Sequence, residues 1–154
     1  VYLIIDDRCT QCVRDAMHDL AMIGLDRVAG YAGADVLEHW PADAPPLARL
    51  AQADARTAAQ LQADDHAVVL DVRSTAEFEA GHVPGARHAP LGELRSHLDA
   101  LPRDRRLIVH CLGGTRSAIA ASVLDAAGFE GVVNLAGGFN EWQAAGLPVT
   151  TTDR

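Results

Sequence analysis

The chain predicts an α/β fold built on a mainly parallel sheet. Three observations carry that expectation. Short apolar, often β-branched runs alternate with segments whose apolar residues fall at helical spacing. Glycines close several of the helical segments, at Gly24 and Gly128. The order strand, loop, helix, strand also recurs along the chain at an offset of 104 positions. Strands alternating with crossover helices give βαβ units, and in such sheets chemistry gathers at the carboxyl ends of the strands.

The elements follow in order. Val1–Ile5 reads as a buried strand and Val13–Ile23 as an amphipathic helix stopped by Gly24. Arg27–Tyr31 is a second strand, and Gly33–Trp40 a turn into a short helix. Pro41–Pro46 is a breaker cluster and Ala48–Arg56 is Ala-rich and polar, so residues 41–56 read as a linker. Thr57–Gln62 is a short helix and Ala67–Val72 a buried strand. Ser74 and Glu77 have capping-box spacing ahead of a helix to Ala80. Gly81–Gly85 is a tight loop, Leu91–Leu101 a helix stopped before Pro102, and Arg106–His110 a strand. Thr115–Ala127, Gly131–Leu135 and Gly138–Ala145 complete the pattern as helix, strand and short helix.

At the offset of 104, Leu3 meets Leu107, Leu20 meets Leu124, Gly24 meets Gly128, Val28 meets Val132 and Gly33 meets Gly137. Trp40 and Trp142 match after a two-residue slip. Residues 1–40 therefore read as the second half of a unit whose complete copy is 57–152. In that alignment Asp7 stands opposite Cys111, and Cys12 opposite Arg116.

Composition narrows the chemistry. The 154 residues carry a net charge of −8, and every one of the 13 basic residues is Arg. Without lysine there is no Schiff-base or P-loop lysine mechanism. An acidic chain with no basic stripe does not suit nucleic acid or a membrane surface, and no apolar run approaches a membrane span. Three cysteines do not make a disulfide framework and point to a reducing, cytoplasmic setting. The start at Val1, directly in an apolar run, reads as a piece of a longer protein.

The informative stretch is His110-Cys111-Leu112-Gly113-Gly114-Thr115-Arg116-Ser117. A strand delivers Cys111 to a Gly-containing loop that opens a helix. Backbone N–H groups of such a loop can cradle an anion. The helix terminus adds about 0.3–1 kcal/mol of favourable field, and up to ~2 in a buried geometry. That upper figure corresponds to a thiol shift of roughly 1.5 pK units, so the loop is expected to hold Cys111 largely as thiolate. Gly113 and Gly114 permit positive φ and close backbone approach, and Arg116 adds a fixed positive charge.

These residues carry a family resemblance. Leu70-Asp71-Val72-Arg73, Glu77-Phe78, Gly81-His82-Val83-Pro84-Gly85-Ala86, the loop from Cys111 to Arg116, and Leu135-Ala136-Gly137-Gly138 with Trp142 resemble a single rhodanese (sulfurtransferase) domain over 57–152. The resemblance implies a three-layer rhodanese-like fold preceded by half of a degenerate repeat. It implies that Cys111 carries a sulfane sulfur as a persulfide, with Leu112, Gly113, Gly114, Thr115, Arg116 and Ser117 binding it. The donor would be thiosulfate or a low-molecular-weight persulfide and the acceptor a thiol, with no metal or cofactor. Cysteine phosphatases and arsenate reductases of similar fold place the arginine six positions after the cysteine. Here it is five, a ring too narrow for phosphate. Residues 1–40 are similar to the C-terminal part of metallo-β-lactamase–rhodanese fusions, which implies a persulfide dioxygenase domain upstream and a place in sulfide oxidation. A docking or dimerisation module, pairing with a second copy of the chain, is the non-enzymatic alternative.

Other residues have two readings each. Arg73 either binds an anionic donor or forms a salt bridge, for instance to Glu77. His82 reads as a turn residue, and His110 should face away from the nucleophile. Cys9-x-x-Cys12 could be redox-active or relay sulfur, or merely fill a defunct loop. Trp40 and Trp142 read as packing anchors.

Overall fold

The structure is a computed structural model and describes residues 2–5, 9–22, 27–47 and 49–152. It divides into two compact units, Val1–Leu47 and Ala48–Arg154. The helix stop expected at Gly24, and Asp7 opposite Cys111, fall outside the described residues.

In the first unit, β1 (Tyr2–Ile4), α1 (Thr10–Met22) and β2 (Gly30–Ala32) form a parallel two-stranded βαβ arrangement. A 3-10 turn follows at Ala34–Leu37, where a short helix was expected. The strand expected to be buried is not: Tyr2 is 81% and Ile4 58% exposed. Cys9 and Cys12, which read from the sequence as redox-active, sulfur-relaying or merely space-filling, form a disulfide. Two intervening residues at a helix start bring their Cα atoms to 5.2 Å, inside bonding range.

The second unit is a five-stranded, all-parallel sheet in the order β3 (Ala51–Ala53), β7 (Val132–Leu135), β6 (Arg106–His110), β4 (Ala67–Asp71), β5 (Arg87–His88). Helices cover both faces, so the central strands are apolar on both sides rather than alternating. On one face Leu70, Leu107 and Val109 pack under α5 (Thr115–Ala126), with Leu94, Leu101 and Phe129. On the other, Val69, Ile108 and Leu135 pack against α2 (Ala55–Ala63) and α6 (Gly138–Ala144), with Ala58, Phe139 and Trp142. The remaining helix, α3 (Thr75–Ala80), begins at the expected capping box, with Ser74 as its cap. The helix expected over Leu91–Leu101 is broken into Leu91–Glu93, α4 (Leu94–His97) and Leu98–Ala100.

The stretch read as linker is not one throughout. Its last third is an edge strand, Ala51–Ala53 beside Val133–Leu135, followed by the start of α2. The side chain of Asp54 accepts the Thr57 N–H at 2.7 Å and starts α2 two residues earlier than expected. An Ala-rich run lacks the β-branched signature of a strand, but small side chains such as Ala53, Ala55 and Ala58 fit beneath the neighbouring helix.

Both copies of the βαβ arrangement are present, in different register. Leu3 pairs with Tyr31, whereas Leu107 pairs with Val132, so β2 is slipped by three residues relative to β7. The tryptophans also differ. Trp142 is fully buried and donates its indole N–H to the Pro148 carbonyl at 2.8 Å. Trp40 is 43% exposed, donates to the Pro45 carbonyl at 2.9 Å, and is no core anchor.

Candidate active site

The central strand β6 ends at His110, held by the Val72 N–H donating to the His110 carbonyl at 3.0 Å. Cys111 therefore leaves the sheet at a fixed point, at its carboxyl edge and beside Asp71. The chain turns through Leu112 and Gly113 to Gly114, which caps α5 with φ +107. Gly114 supplies the left-handed backbone expected of this loop. Gly113 does not, since Gly114 is the only loop glycine with positive φ, and a Cβ on Gly113 would meet nothing within 4 Å.

The turn aims donors at sulfur. The Gly114 N–H reaches Cys111 Sγ at 3.2 Å and Ser117 Oγ reaches it at 3.6 Å. Ser117 is buried, and its Oγ also lies 2.9 Å from the Gly114 carbonyl, so its single proton is shared between that oxygen and the sulfur. Cys111 itself is only 2% exposed. That burial pushes the thiol up, yet hydrogen bonds from the Ser117 hydroxyl and from the backbone of Ser117, Gly114 and Gly113 outweigh it. The net effect holds Cys111 below an ordinary cysteine. Leu112 and Thr115 are exposed at the outside of the loop.

A second chain segment locks the loop from behind. The N–H groups of Phe139 and Asn140, at the start of α6, donate to the carbonyls of Cys111 and Leu112 at 2.8 and 3.0 Å. Those two carbonyls are thereby turned away from the sulfur. This clamp was not read from the sequence, although the paired glycines after β7 signalled a close approach.

Arg116 lies in the first turn of α5 and is half-exposed. Its guanidinium is gripped by Glu77, both Nη atoms donating at 2.8 Å to the two carboxylate oxygens. Glu77 Oε2 also accepts from the Ser74 N–H and Oγ, at 3.0 and 2.8 Å. The Arg116 hydrogen bonds, with help from Ser74, hold the Glu77 carboxyl far below its usual range. Glu77, and to a lesser extent the neighbouring Cys111, holds Arg116 firmly protonated. Arg116 is thus held near the cysteine as one half of an ion pair, with Glu77 balancing its charge. The sequence spacing points to Glu77 as a helix-cap residue or a partner for Arg73, and its contact with Arg116 is not legible there.

Arg73 is corrected by the geometry. It is 3% exposed and its partner is Asp71, not Glu77. Its Nε and Nη2 bond the Asp71 carboxylate at 2.6–3.0 Å, Nη2 also donates to the Gly81 carbonyl at 2.7 Å, and its guanidinium lies 4.0 Å from the centre of the Phe139 ring. Its guanidinium thereby ties β4, the loop at Gly81 and α6 together. His110 is fully buried beside it, with Nδ1 3.3 Å from the Cys111 carbonyl and Nε2 3.5 Å from Asp71 Oδ2. Burial keeps its pKa low, although the Asp71 carboxylate opposes that. His82 stacks on Phe78 and its Nδ1 bonds the Phe78 carbonyl, as a turn residue would. Among the described residues, no three His, Cys, Asp or Glu side chains gather as a metal would require, and no helix is long and apolar enough to cross a membrane.

Comparison with known proteins agrees with this geometry. The rhodanese-like domain family model matches residues 54–145. A sulfurtransferase of Allochromatium vinosum is 33% identical over 101 residues, covering 65% of this chain and 94% of that protein. Thiosulfate sulfurtransferase GlpE of Ectopseudomonas mendocina is 40% identical over 78 residues, 51% of this chain and 72% of that protein. YrkF of Bacillus subtilis is 34% identical over 83 residues, and there the match spans 54% of this chain and only 45% of the relative. Among solved structures, a rhodanese-related protein of Thermoplasma volcanium superposes with a TM-score of 0.61 at 30% identity, covering 66% of this chain and 99% of that one. A thiosulfate sulfurtransferase of Pseudomonas aeruginosa gives 0.62 at 27% identity, covering 97% of this chain and 29% of that one. With a parallel five-stranded sheet between helical layers, a cysteine cradled at the end of its central strand, and a family match over more than half its length, this chain belongs to the rhodanese-like domain family.

Proposed function

We propose that the chain is a sulfurtransferase that carries sulfane sulfur on Cys111. The observation that supports this most directly is the convergence of the Gly114 N–H and Ser117 Oγ on Cys111 Sγ, with the loop carbonyls pulled away by α6. An environment that favours sulfur anion favours both the attacking thiolate and the persulfide it becomes. The Cys111 thiolate attacks the outer sulfur of thiosulfate. The new S–S bond forms as the donor's S–S bond breaks, and sulfite leaves with that electron pair. With an organic persulfide as donor, the thiolate leaves instead. An acceptor thiolate then takes the outer sulfur and restores Cys111. In this reading the loop backbone from Leu112 through Gly113, Gly114, Thr115 and Arg116 to Ser117 receives the sulfur, the exposed side chains of Leu112 and Thr115 take no part, and Arg116 acts from its place on Glu77. No cofactor enters these steps.

The test is direct. The chain is incubated with thiosulfate or glutathione persulfide and weighed intact. The expected result is a gain of one sulfur atom on the wild type and none on Cys111→Ser. Failure of every sulfane donor to load Cys111 overturns the reading. The βαβ arrangement at 2–32 ahead of the domain supports a finer reading, that the chain is the C-terminal part of a metallo-β-lactamase–rhodanese fusion acting in cytoplasmic sulfide oxidation. Sequencing the gene upstream of Val1 decides that point: a metal-binding hydrolase-like domain supports it, and any other sequence rejects it.

A further inference from the structure

The three cysteines divide into two chemistries. Cys111 is free, whereas Cys9 and Cys12 are joined in the first unit, in a segment outside the family match. In the internal repeat Cys12 aligns with Arg116, and the position of the nucleophile is held by Asp7, so this loop does not duplicate the persulfide cradle.

The Cys9–Cys12 bond has little to offer as a staple. It closes a loop with two residues between its ends, the length at which a cross-link removes least chain entropy from the unfolded state. It is also within reach of solvent: Cys9 is half-buried, and Cys12 is exposed in the first turn of α1. The two sulfurs are not equivalent. Cys9 directly precedes the thirteen-residue helix, and its Sγ accepts the Cys12 N–H at 3.1 Å. A thiolate on Cys9 is therefore stabilised by that N–H and by the positive end of the helix. Cys12 is the more exposed residue of the pair, and Cys9 offers the better leaving group. In thiol–disulfide exchange these two properties select the same direction of attack.

We propose that Cys9–Cys12 is a thiol–disulfide exchange site for low-molecular-weight thiols, in which Cys12 is the attacked sulfur and Cys9 the leaving thiolate. A small thiolate bonds to Cys12 Sγ, the Cys9–Cys12 bond breaks, and Cys9 departs with the electron pair. A second thiolate attacks the small-molecule sulfur of that mixed disulfide and releases Cys12 as thiolate. The site gains two electrons, and the two small thiols leave as their disulfide. Glutathione disulfide drives the reverse.

The experiment uses the whole chain carrying Cys111→Ser, so that only Cys9 and Cys12 are counted and the outcome is independent of the sulfurtransferase reading. The protein is equilibrated in graded glutathione and glutathione disulfide mixtures, quenched in acid, alkylated and weighed. Both thiols should appear together and reversibly. Hydrogen-exchange protection over residues 10–22 should stay unchanged between the oxidised and reduced forms. In a rapid quench with iodoacetamide, glutathione should map to Cys12 and the alkyl group to Cys9, in roughly tenfold excess over the opposite arrangement. A dithiol that glutathione disulfide does not oxidise to the Cys9–Cys12 bond, a disulfide that resists excess glutathione, or reduction accompanied by loss of protection over 10–22 would each overturn the proposal. Glutathione mapping chiefly to Cys9 would overturn the assigned direction.

Discussion

Gly138 and the Cys111 carbonyl are in direct contact: a Cβ at position 138 would stand 2.5 Å from that oxygen and 2.7 Å from the carbonyl oxygen of Leu112. The backbone there is also left-handed, with φ +60. The close approach lets the first amides of α6 hold the loop carbonyls, so a residue on a different element shapes the thiol's surroundings.

Gly138→Ala should therefore damage stability and chemistry together. The left-handed backbone alone costs about 1–2 kcal/mol for an L-residue, and the clash with backbone must be relieved by moving the loop. A lowered Tm and at least a tenfold slower loading of Cys111 are expected. Gly113→Ala is the control. A Cβ there meets nothing, and Tm should stay within about 0.5 kcal/mol equivalent of wild type. Equal damage from both would show that the clamp from α6 is unimportant.

The Cys111 thiol should titrate low. Alkylation by iodoacetamide requires the thiolate, so its rate should rise with pH through a midpoint below that of an unperturbed cysteine. Ser117→Ala removes the hydroxyl donor while burial continues to oppose the charge. Its midpoint should move upward, and the rate at neutral pH should fall. A midpoint unchanged in Ser117→Ala would remove the hydroxyl from the account.

The Glu77–Arg116 pair links stability to acid. Because the folded-state pKa of Glu77 is depressed, its contribution is full above the unfolded value and is lost as pH falls toward the folded one. The pair is partly exposed, and a contribution of about 1 kcal/mol is expected for its bidentate geometry. Urea denaturation should show Glu77→Gln weaker than wild type at pH 7, with the gap narrowing well below pH 4. A gap independent of pH would assign the loss to the helix cap instead.

Arg73→Met should leave the buried Asp71 carboxylate without its partner and destabilise the fold by about 3–5 kcal/mol. In whatever folded fraction remains, the KM for thiosulfate should be unaltered. A large rise in KM with the fold intact would restore Arg73 as a donor-binding residue.

The strands of the second unit were legible because they are short, apolar and glycine-bounded. Arg106–His110 was read residue for residue, and the Ser74–Glu77 capping box was read from spacing alone. The nucleophile was legible for the same reason, since a strand end followed by glycines is a local signal. What escaped was non-local. Nothing near Glu77 in sequence announces Arg116, 39 residues on, and nothing near Cys111 announces the amides of Phe139 and Asn140. The edge strand at Ala51–Ala53 escaped because its partner β7 defines it more than its own alanines do. The salt-bridge reading of Arg73 named Glu77 as an example of its partner, because a charged residue at a sheet edge gives no hint that its counter-ion is two positions away and buried with it.

The sheet order has a consequence for biosynthesis. The first strand of the second unit, β3, pairs among the described residues only with β7, and β7 is the last strand of that sheet to be made. On the ribosome, the segment that begins this unit must wait, unpaired, until residues 133–135 have cleared the exit tunnel. The amides of α6 that secure the Cys111 loop emerge later still. A nascent chain stalled before Gly138 would hold its thiol without the clamp that shapes it, so sulfur chemistry at Cys111 should begin only once residues 138–140 have emerged.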